Sequence, residues 1–164
     1  MTGTVVAYKR AKGEPIHPDA DGSMRISWGK VEGRVRDGET WIPITTAAGL
    51  LEKQRGWGEF SAPAPVIAAL REGAFGAYAA PEFGTLPVDF LSSADITSGN
   101  SGSPTLNAHG ELVGLVFDGT MDGVVCDWVY IGQRNRTVHV DIRFMLWAMD
   151  NADGAKRLLR ELGQ

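Results

Sequence analysis

The chain has 164 residues, of which 43% are hydrophobic, with five Trp and six Phe, enough to build one domain with a sizeable core. Its net charge of -4, from 20 acidic residues against 16 Lys and Arg, leaves no basic stripe to neutralise a phosphate backbone, so nucleic acid is excluded as an expected partner. A single cysteine, Cys126, forms no internal disulfide, and no run reaches the roughly 18 apolar residues of a membrane span.

The opening ten residues, Met1 to Arg10, lack a basic start followed by an apolar stretch, so they are no signal peptide, and a protein made from this start alone stays in the cytoplasm. The segment from Ser23 to Val35 places Met24, Ile26 and Trp28 at period two and shifts phase after Gly29, which predicts a long bent strand with a bulge. From Thr45 to Phe75 the pattern is helical: Thr46 can cap a helix over Ala47 to Gln54, and Pro63 and Pro65 open another over Val66 to Arg71. Pro87 to Leu91 reads as a strand. After a loop, Ser103 to Leu106 and Glu111 to Phe117 read as a hairpin turned by Asn107-Ala108-His109-Gly110. Arg136 to Val140 gives a further strand, Asp141 can cap a helix burying Phe144, Leu146, Trp147 and Met149, and Gly154 to Leu162 follows as a last helix. With 21 glycines and no repeat at a period of roughly 20 to 50 residues, the fold class is mostly β with flanking helices, closed by a C-terminal helix.

Chemistry concentrates in the loop Gly99-Asn100-Ser101-Gly102-Ser103-Pro104. If Ser101 is a nucleophile, glycines at 99 and 102 permit backbone angles that other residues avoid, so N–H groups near Ser101 can converge as an oxyanion hole. Pro104 stiffens the exit into the following strand. A plain Gly and Ser turn between strands is the other reading. A phosphate loop fails, because no Gly-Lys-Ser/Thr follows, and an α/β-hydrolase elbow fails, because Ser101 leads into a hairpin rather than a helix.

Beyond that loop, Pro18-Asp19-Ala20-Asp21 with Met24 to Gly29, Pro87-Val88-Asp89-Phe90, Gly114 to Asp118, and Val140 to Trp147 occur in an order that resembles the bacterial dipeptidyl-peptidases of the 7 and 11 type. The resemblance implies the C-terminal β-barrel portion of a chymotrypsin-like double-barrel peptidase, over residues 21–164, with residues 1–20 as the end of an inserted helical domain or a linker. It implies release of dipeptides from peptides with a free amino terminus, with Ser101 as the acylated nucleophile and the Gly99 and Ser101 N–H groups as oxyanion donors. Asp118 corresponds to the anchor of the substrate's amino group. Gly119 corresponds to the position that sets S1 character, where acidic-specific members carry Arg, so glycine implies an open pocket for an apolar P1 residue. No cofactor or metal is implied, and the location implied for the full-length family is the periplasm or cell surface.

The departure from that pattern concerns the base. A chymotrypsin-like chain runs His, Asp, Ser, yet only His17 precedes Ser101, in a turn that matches no catalytic position. His109 falls in the hairpin turn and His139 in a strand, which read as a surface and a packed histidine. The triad is therefore incomplete within these residues, and a missing N-terminal part or a second chain is expected to supply His and Asp. By itself the chain is expected to be inactive. The alternative is a non-catalytic product of a truncated or split gene that keeps the fold and binds peptide amino termini. Asp19-Ala20-Asp21-Gly22 imitates a calcium loop, but Met24 and Lys30 stand where its Gly and Glu belong, so it reads as a turn. Asp122 and Asp127 read as solvated loop carboxylates, with lining a cleft as the other reading, Cys126 as a small buried or half-buried residue, and Trp28, Trp41, Trp57, Trp128 and Trp147 as core, although Trp128 can also reach a substrate groove.

Overall fold

The computed structural model describes residues 3–14, 24–125 and 130–164. His17, the Asp19 to Gly22 turn, Cys126, Asp127 and Trp128 lie outside the described residues. Helix α1 spans Gly3–Lys12, with Lys9, Arg10 and Lys12 in its last turn, where cations oppose the negative end of the helix dipole. Strands β1 (Arg34–Arg36) and β2 (Glu39–Trp41) form an antiparallel hairpin in which Arg34 faces Trp41. Asp37 and Gly38 turn it with φ of 52° and 83°, the two positive angles that a tight hairpin turn needs.

The long strand expected over 23–35 is not formed. Val31 makes an isolated antiparallel bridge to Ser92, and regular pairing begins only at Arg34. The glycines give the physical reason. A Cβ at Gly29 would lie 2.3 Å from the Ala94 nitrogen, and one at Gly33 would lie 1.8 Å from the Trp41 carbonyl oxygen, so the chain bends where neighbouring backbone presses against it. Met24, Ile26 and Trp28 are 89%, 75% and 86% exposed, so their alternation marks no core face in the described residues.

Strand β3 (Ile44–Thr46) leads into α2 (Ala47–Lys53). Thr46 occupies the cap position without a side-chain capping bond, and the Ala47 N–H donates to the Leu86 carbonyl at 2.9 Å instead. Helix α3 (Ala64–Glu72) opens on prolines and stops at Gly73, whose φ of 69° is a left-handed cap. The strands that follow are β4 (Pro87–Ser92), β5 (Pro104–Leu106), β6 (Leu112–Gly119) and β7 (Thr137–Asp141), then helices α4 (Ile142–Asn151) and α5 (Lys156–Glu161). In the larger sheet the strand order is β3-β4-β7-β6-β5, so the chain is sheet-rich with flanking helices, as the sequence implies.

Two compact units partition the chain. One comprises Ile44–Phe90, Pro104–Leu115 and Val140–Gln164, and its core gathers Ala47, Ile67, Leu70, Leu86 and Trp147. Trp147 is fully buried, with Phe144 stacked on it and Phe75 edge-on, each at 6.0 Å. Aromatic pairs of this kind add to the burial of a large side chain. Of the other tryptophans expected in a core, Trp28 and Trp57 are exposed. The β5–β6 hairpin of this unit is turned by Asn107, whose Oδ1 accepts from the His109 and Glu111 N–H groups. The second unit, Met1–Pro43, Leu91–Ser103 and Val116–His139, carries the Ser101 loop.

Candidate active site

Ser101 sits at the exposed tip of the loop between β4 and β5, and Asn100 organises that loop. Asn100 Oδ1 accepts from the Thr97 N–H at 2.8 Å, its N–H donates to the Thr97 carbonyl at 3.3 Å, and its carbonyl accepts from the Ser103 N–H at 2.9 Å. Gly99 and Gly102 have φ of 96° and 85°, a region that a side chain would strain. The exit is tied to β6 by Gly102 N–H to the Val116 carbonyl at 2.7 Å and Val116 N–H to the Ser103 carbonyl at 2.9 Å.

Every N–H from Asn100 to Ser103 except that of Ser101 is thereby used. Among the described residues, neither the Ser101 N–H nor the Gly99 N–H makes a hydrogen bond. Two idle amide donors beside an exposed hydroxyl are what an oxyanion site requires before substrate arrives. The Ser101 hydroxyl lies a long 3.5 Å from the Phe117 carbonyl.

Ser101, Gly99, Asp118 and Gly119 all line one cleft of about 370 Å3. Asp118 is exposed near the end of β6, and its Oδ1 accepts from the Gly119 N–H at 2.7 Å. Gly119 is not held to glycine by its backbone. A Cβ there would meet Ile96 Cδ1 at 3.5 Å and the Arg136 carbonyl oxygen at 3.9 Å, ordinary contacts, so the missing side chain leaves room in the cleft. The same lining also takes in Gly123 and Val124 of the 3-10 turn Met121–Val125 and Asn135, Arg136 and Thr137.

No described histidine is hydrogen-bonded to Ser101. His139 is 2% exposed, its Nε2 lies 2.7 Å from Ser92 Oγ, and burial pushes its pKa down to about 4, so it is a packed neutral imidazole. His109 is exposed in the β5–β6 turn. Asp122, read from sequence as a solvated carboxylate, instead pairs with the buried guanidinium of Arg34. Arg34 and the equally buried Arg136 went unnoticed in the sequence. Their contacts reach across about a hundred residues, from Arg34 to the Arg134 carbonyl and from Arg136 to the Gly33 carbonyl, and no local pattern announces such pairs.

Comparison with known proteins gives these features a setting. The sequence is 41% identical over 180 residues to the Asp/Glu-specific dipeptidyl-peptidase of Shewanella putrefaciens, an alignment that takes in 96% of this chain and 25% of that protein. It is 37% identical over 152 residues to the dipeptidyl-peptidase 7 of Capnocytophaga gingivalis, covering 90% of this chain and 21% of the relative. The fold superposes on Porphyromonas endodontalis DPP11 in complex with the dipeptide Arg-Glu with a TM-score of 0.84 and 34% identity, covering 96% of this chain and 23% of the other. The chain thus spans about a quarter of the length of the curated relatives it matches. Since the peptidase S46 family profile matches residues 1–164 throughout, the chain belongs to the peptidase S46 family.

Proposed function

We propose that this chain carries the nucleophile and part of the substrate site of a serine dipeptidyl-peptidase, which releases dipeptides from peptides with a free amino terminus. The observation that carries the reading is that, among the described residues, the Gly99 and Ser101 N–H groups make no hydrogen bond while Ser101 is exposed in the cleft that also holds Asp118. Ser101 Oγ attacks the carbonyl carbon of the substrate's second residue, and its proton passes through a general base to the departing amine of the third. The two N–H groups receive the negative charge that forms on the carbonyl oxygen. Water then cleaves the ester and frees the dipeptide. Asp118 pairs with the substrate's ammonium, which limits cleavage to two residues from the end.

The base and its carboxylate come from outside these 164 residues, in the same longer protein or in a second chain. Support for this comes from the relatives, of whose length the chain covers about a quarter, and from the absence of a Ser101–histidine hydrogen bond among the described residues. The location read with this function is the periplasmic or cell-surface one that the family resemblance implies. No described helix is long and apolar enough to cross a membrane.

At P1 the relatives point two ways, since some are named for Asp/Glu specificity and others are named dipeptidyl-peptidase 7. The open space at Gly119, bounded by Ile96, supports an apolar P1 residue here. The test is made in the full-length protein with a fluorophosphonate probe and dipeptide-coupled dyes. Wild type should be labelled at Ser101 and should turn over substrates with Leu or Phe at P1 faster than those with Asp or Glu, while Ser101→Ala loses both labelling and turnover. An unlabelled wild-type protein would favour the non-catalytic reading, and faster turnover of Asp or Glu at P1 would refute the role given to Gly119.

A further inference from the structure

Arg34 and Arg136 are each 7% exposed, and a buried guanidinium is tolerated only where acceptors surround it. Arg34 projects from β1 with its guanidinium carbon 3.7 Å from the ring centroid of Trp41, its cross-strand partner. That contact holds the plane of the guanidinium. One nitrogen, Nη1, then does two things: it pairs with Asp122 Oδ2, and it donates to the Arg134 carbonyl at 2.7 Å. Neither Arg34 nor Asp122 lines the Ser101 cleft, but the residues that directly follow each partner do. Gly123 and Val124 come after Asp122, and Asn135 and Arg136 come after Arg134.

Arg136 adds further ties to the same part of the chain. Its Nε donates to the Gly33 carbonyl at 2.9 Å, its Nη2 pairs with Glu32 Oε1 at 3.2 Å, and its Nη1 donates to the Gly132 and Asn135 carbonyls at 2.7 Å each. The backbone closes the loop of contacts: the Thr120 N–H donates to the Arg136 carbonyl at 2.9 Å, and the Arg136 N–H donates to Thr120 Oγ1 at 3.2 Å. The Thr120–Arg136 pairing thus ties the chain ahead of Asp122 to Arg136, and Arg34 ties Asp122 to Arg134 immediately before each lining stretch begins.

We infer that Arg34 is a positioning residue that fixes the separation of these two stretches, so that the Arg34–Asp122 pair sets P1 selectivity without touching substrate. The inference rests on the reading of the Ser101 cleft as a peptidase site. When the bridge is lost, the Gly123–Val124 stretch moves independently of Asn135–Arg136, and a pocket with a loose wall discriminates poorly between large and small side chains.

The experiment measures kcat and KM in the full-length protein for dipeptide substrates differing only in Leu or Ala at P1. Arg34→Lys keeps the charge but offers an ammonium that neither stacks on Trp41 nor holds a fixed fork. Asp122→Asn, a near-isostere that leaves the Arg134 contact in place, is the second variant should Arg34→Lys fold poorly. In Arg34→Lys the Leu-to-Ala ratio of kcat/KM should fall by about tenfold, mainly through KM for Leu, and in Asp122→Asn it should fall in the same direction by a smaller factor. A ratio within about twofold of wild type in Asp122→Asn, or an equal loss of kcat for both substrates, would overturn the inference. Ser101→Ala runs beside them. If it retains turnover, the peptidase reading of the cleft has failed; if it is inactive while the ratio is unmoved in the other variants, only the role of Arg34 has failed.

Discussion

Asp118 already spends one carboxylate oxygen on the neighbouring Gly119 N–H, at 2.7 Å, and that bond decides what its amide isostere does. In Asp118→Asn the side-chain carbonyl keeps the same acceptor for Gly119, so the end of β6 stays where it is and only the charge is lost. A neutral amide facing an ammonium forgoes a charge-assisted bond. In the full-length protein, KM for dipeptide substrates with a free amino terminus should therefore rise on the order of tenfold to a hundredfold, with a smaller change in kcat. Amino-blocked substrates supply the check: if Asp118→Asn slows free and blocked peptides equally, Asp118 does not hold the amine. Ser101, Gly99, Asp118 and Gly119 line one cleft; the Ser101 loop was legible because its glycines have local reasons to be there, whereas Asp118 and Gly119 carry no local signal and enter only through the family resemblance. Arg34 was not legible either, since an arginine in a short charged strand looks solvent-facing until Asp122 and the Arg134 carbonyl are folded against it.

At the scale of elements, the junction of β7 and α4 depends on Asp141, which is 4% exposed and serves three donors at once. Its Oδ1 accepts from the Arg143 N–H at 2.8 Å and from Arg143 Nε at 3.0 Å, and its Oδ2 accepts from Arg143 Nη2 at 2.8 Å. Arg143 also reaches Glu82 at 3.7 Å. Losing an N-cap costs about 0.5 to 2 kcal/mol, so Asp141→Ala should lower Tm by about 1 to 8 °C. Asp141→Asn should cost less, because Asn caps equally well and because Asp141 is a like charge that helps to raise the pKa of Asp89. Equal Tm losses in the two variants, measured by thermal unfolding, would show that the charge rather than the cap matters. Helix α4 was readable because a capping Asp precedes an amphipathic run, and the β5–β6 hairpin because Asn107 and Gly110 supply its turn. The β1–β2 hairpin was missed although Asp37-Gly38 is a strong turn pair, because strands this short and charged show no apolar alternation. The long strand expected before it failed for a different reason: Gly29 and Gly33 mark close backbone approach, which period-two patterning does not register.

Over the whole molecule, two shifted groups pull the pH dependence of stability in opposite directions. His139 has its pKa pushed down to about 4 by burial, so between that value and the ordinary 6.5 the unfolded chain binds more protons than the folded one. Its contribution therefore strengthens as pH rises through this window and weakens on acidification. Asp89 has its pKa pushed up to about 6, first by burial and then by the neighbouring Asp141, with Lys53 opposing. There the folded chain binds more protons from 3.8 up to about 6, so its contribution weakens as pH rises. Across the shared window the two slopes offset each other, and each becomes visible only when the other group is removed. Relative to wild type, Asp89→Asn should gain Tm progressively as pH rises from about 4 to about 6, because the cost of ionising a buried carboxyl is gone. His139→Gln changes the Ser92 contact and so loses Tm at every pH. That loss should be smallest near pH 4, where wild type also bears the cost of the imidazole, and should grow as pH rises towards 6.5. Thermal melts of the full-length protein and both variants along one pH series give these differences directly. Difference curves that are flat for both variants would mean that neither group titrates abnormally in the fold, and a His139→Gln loss that shrinks with rising pH would mean that the buried imidazole is held protonated by a partner rather than kept neutral by desolvation.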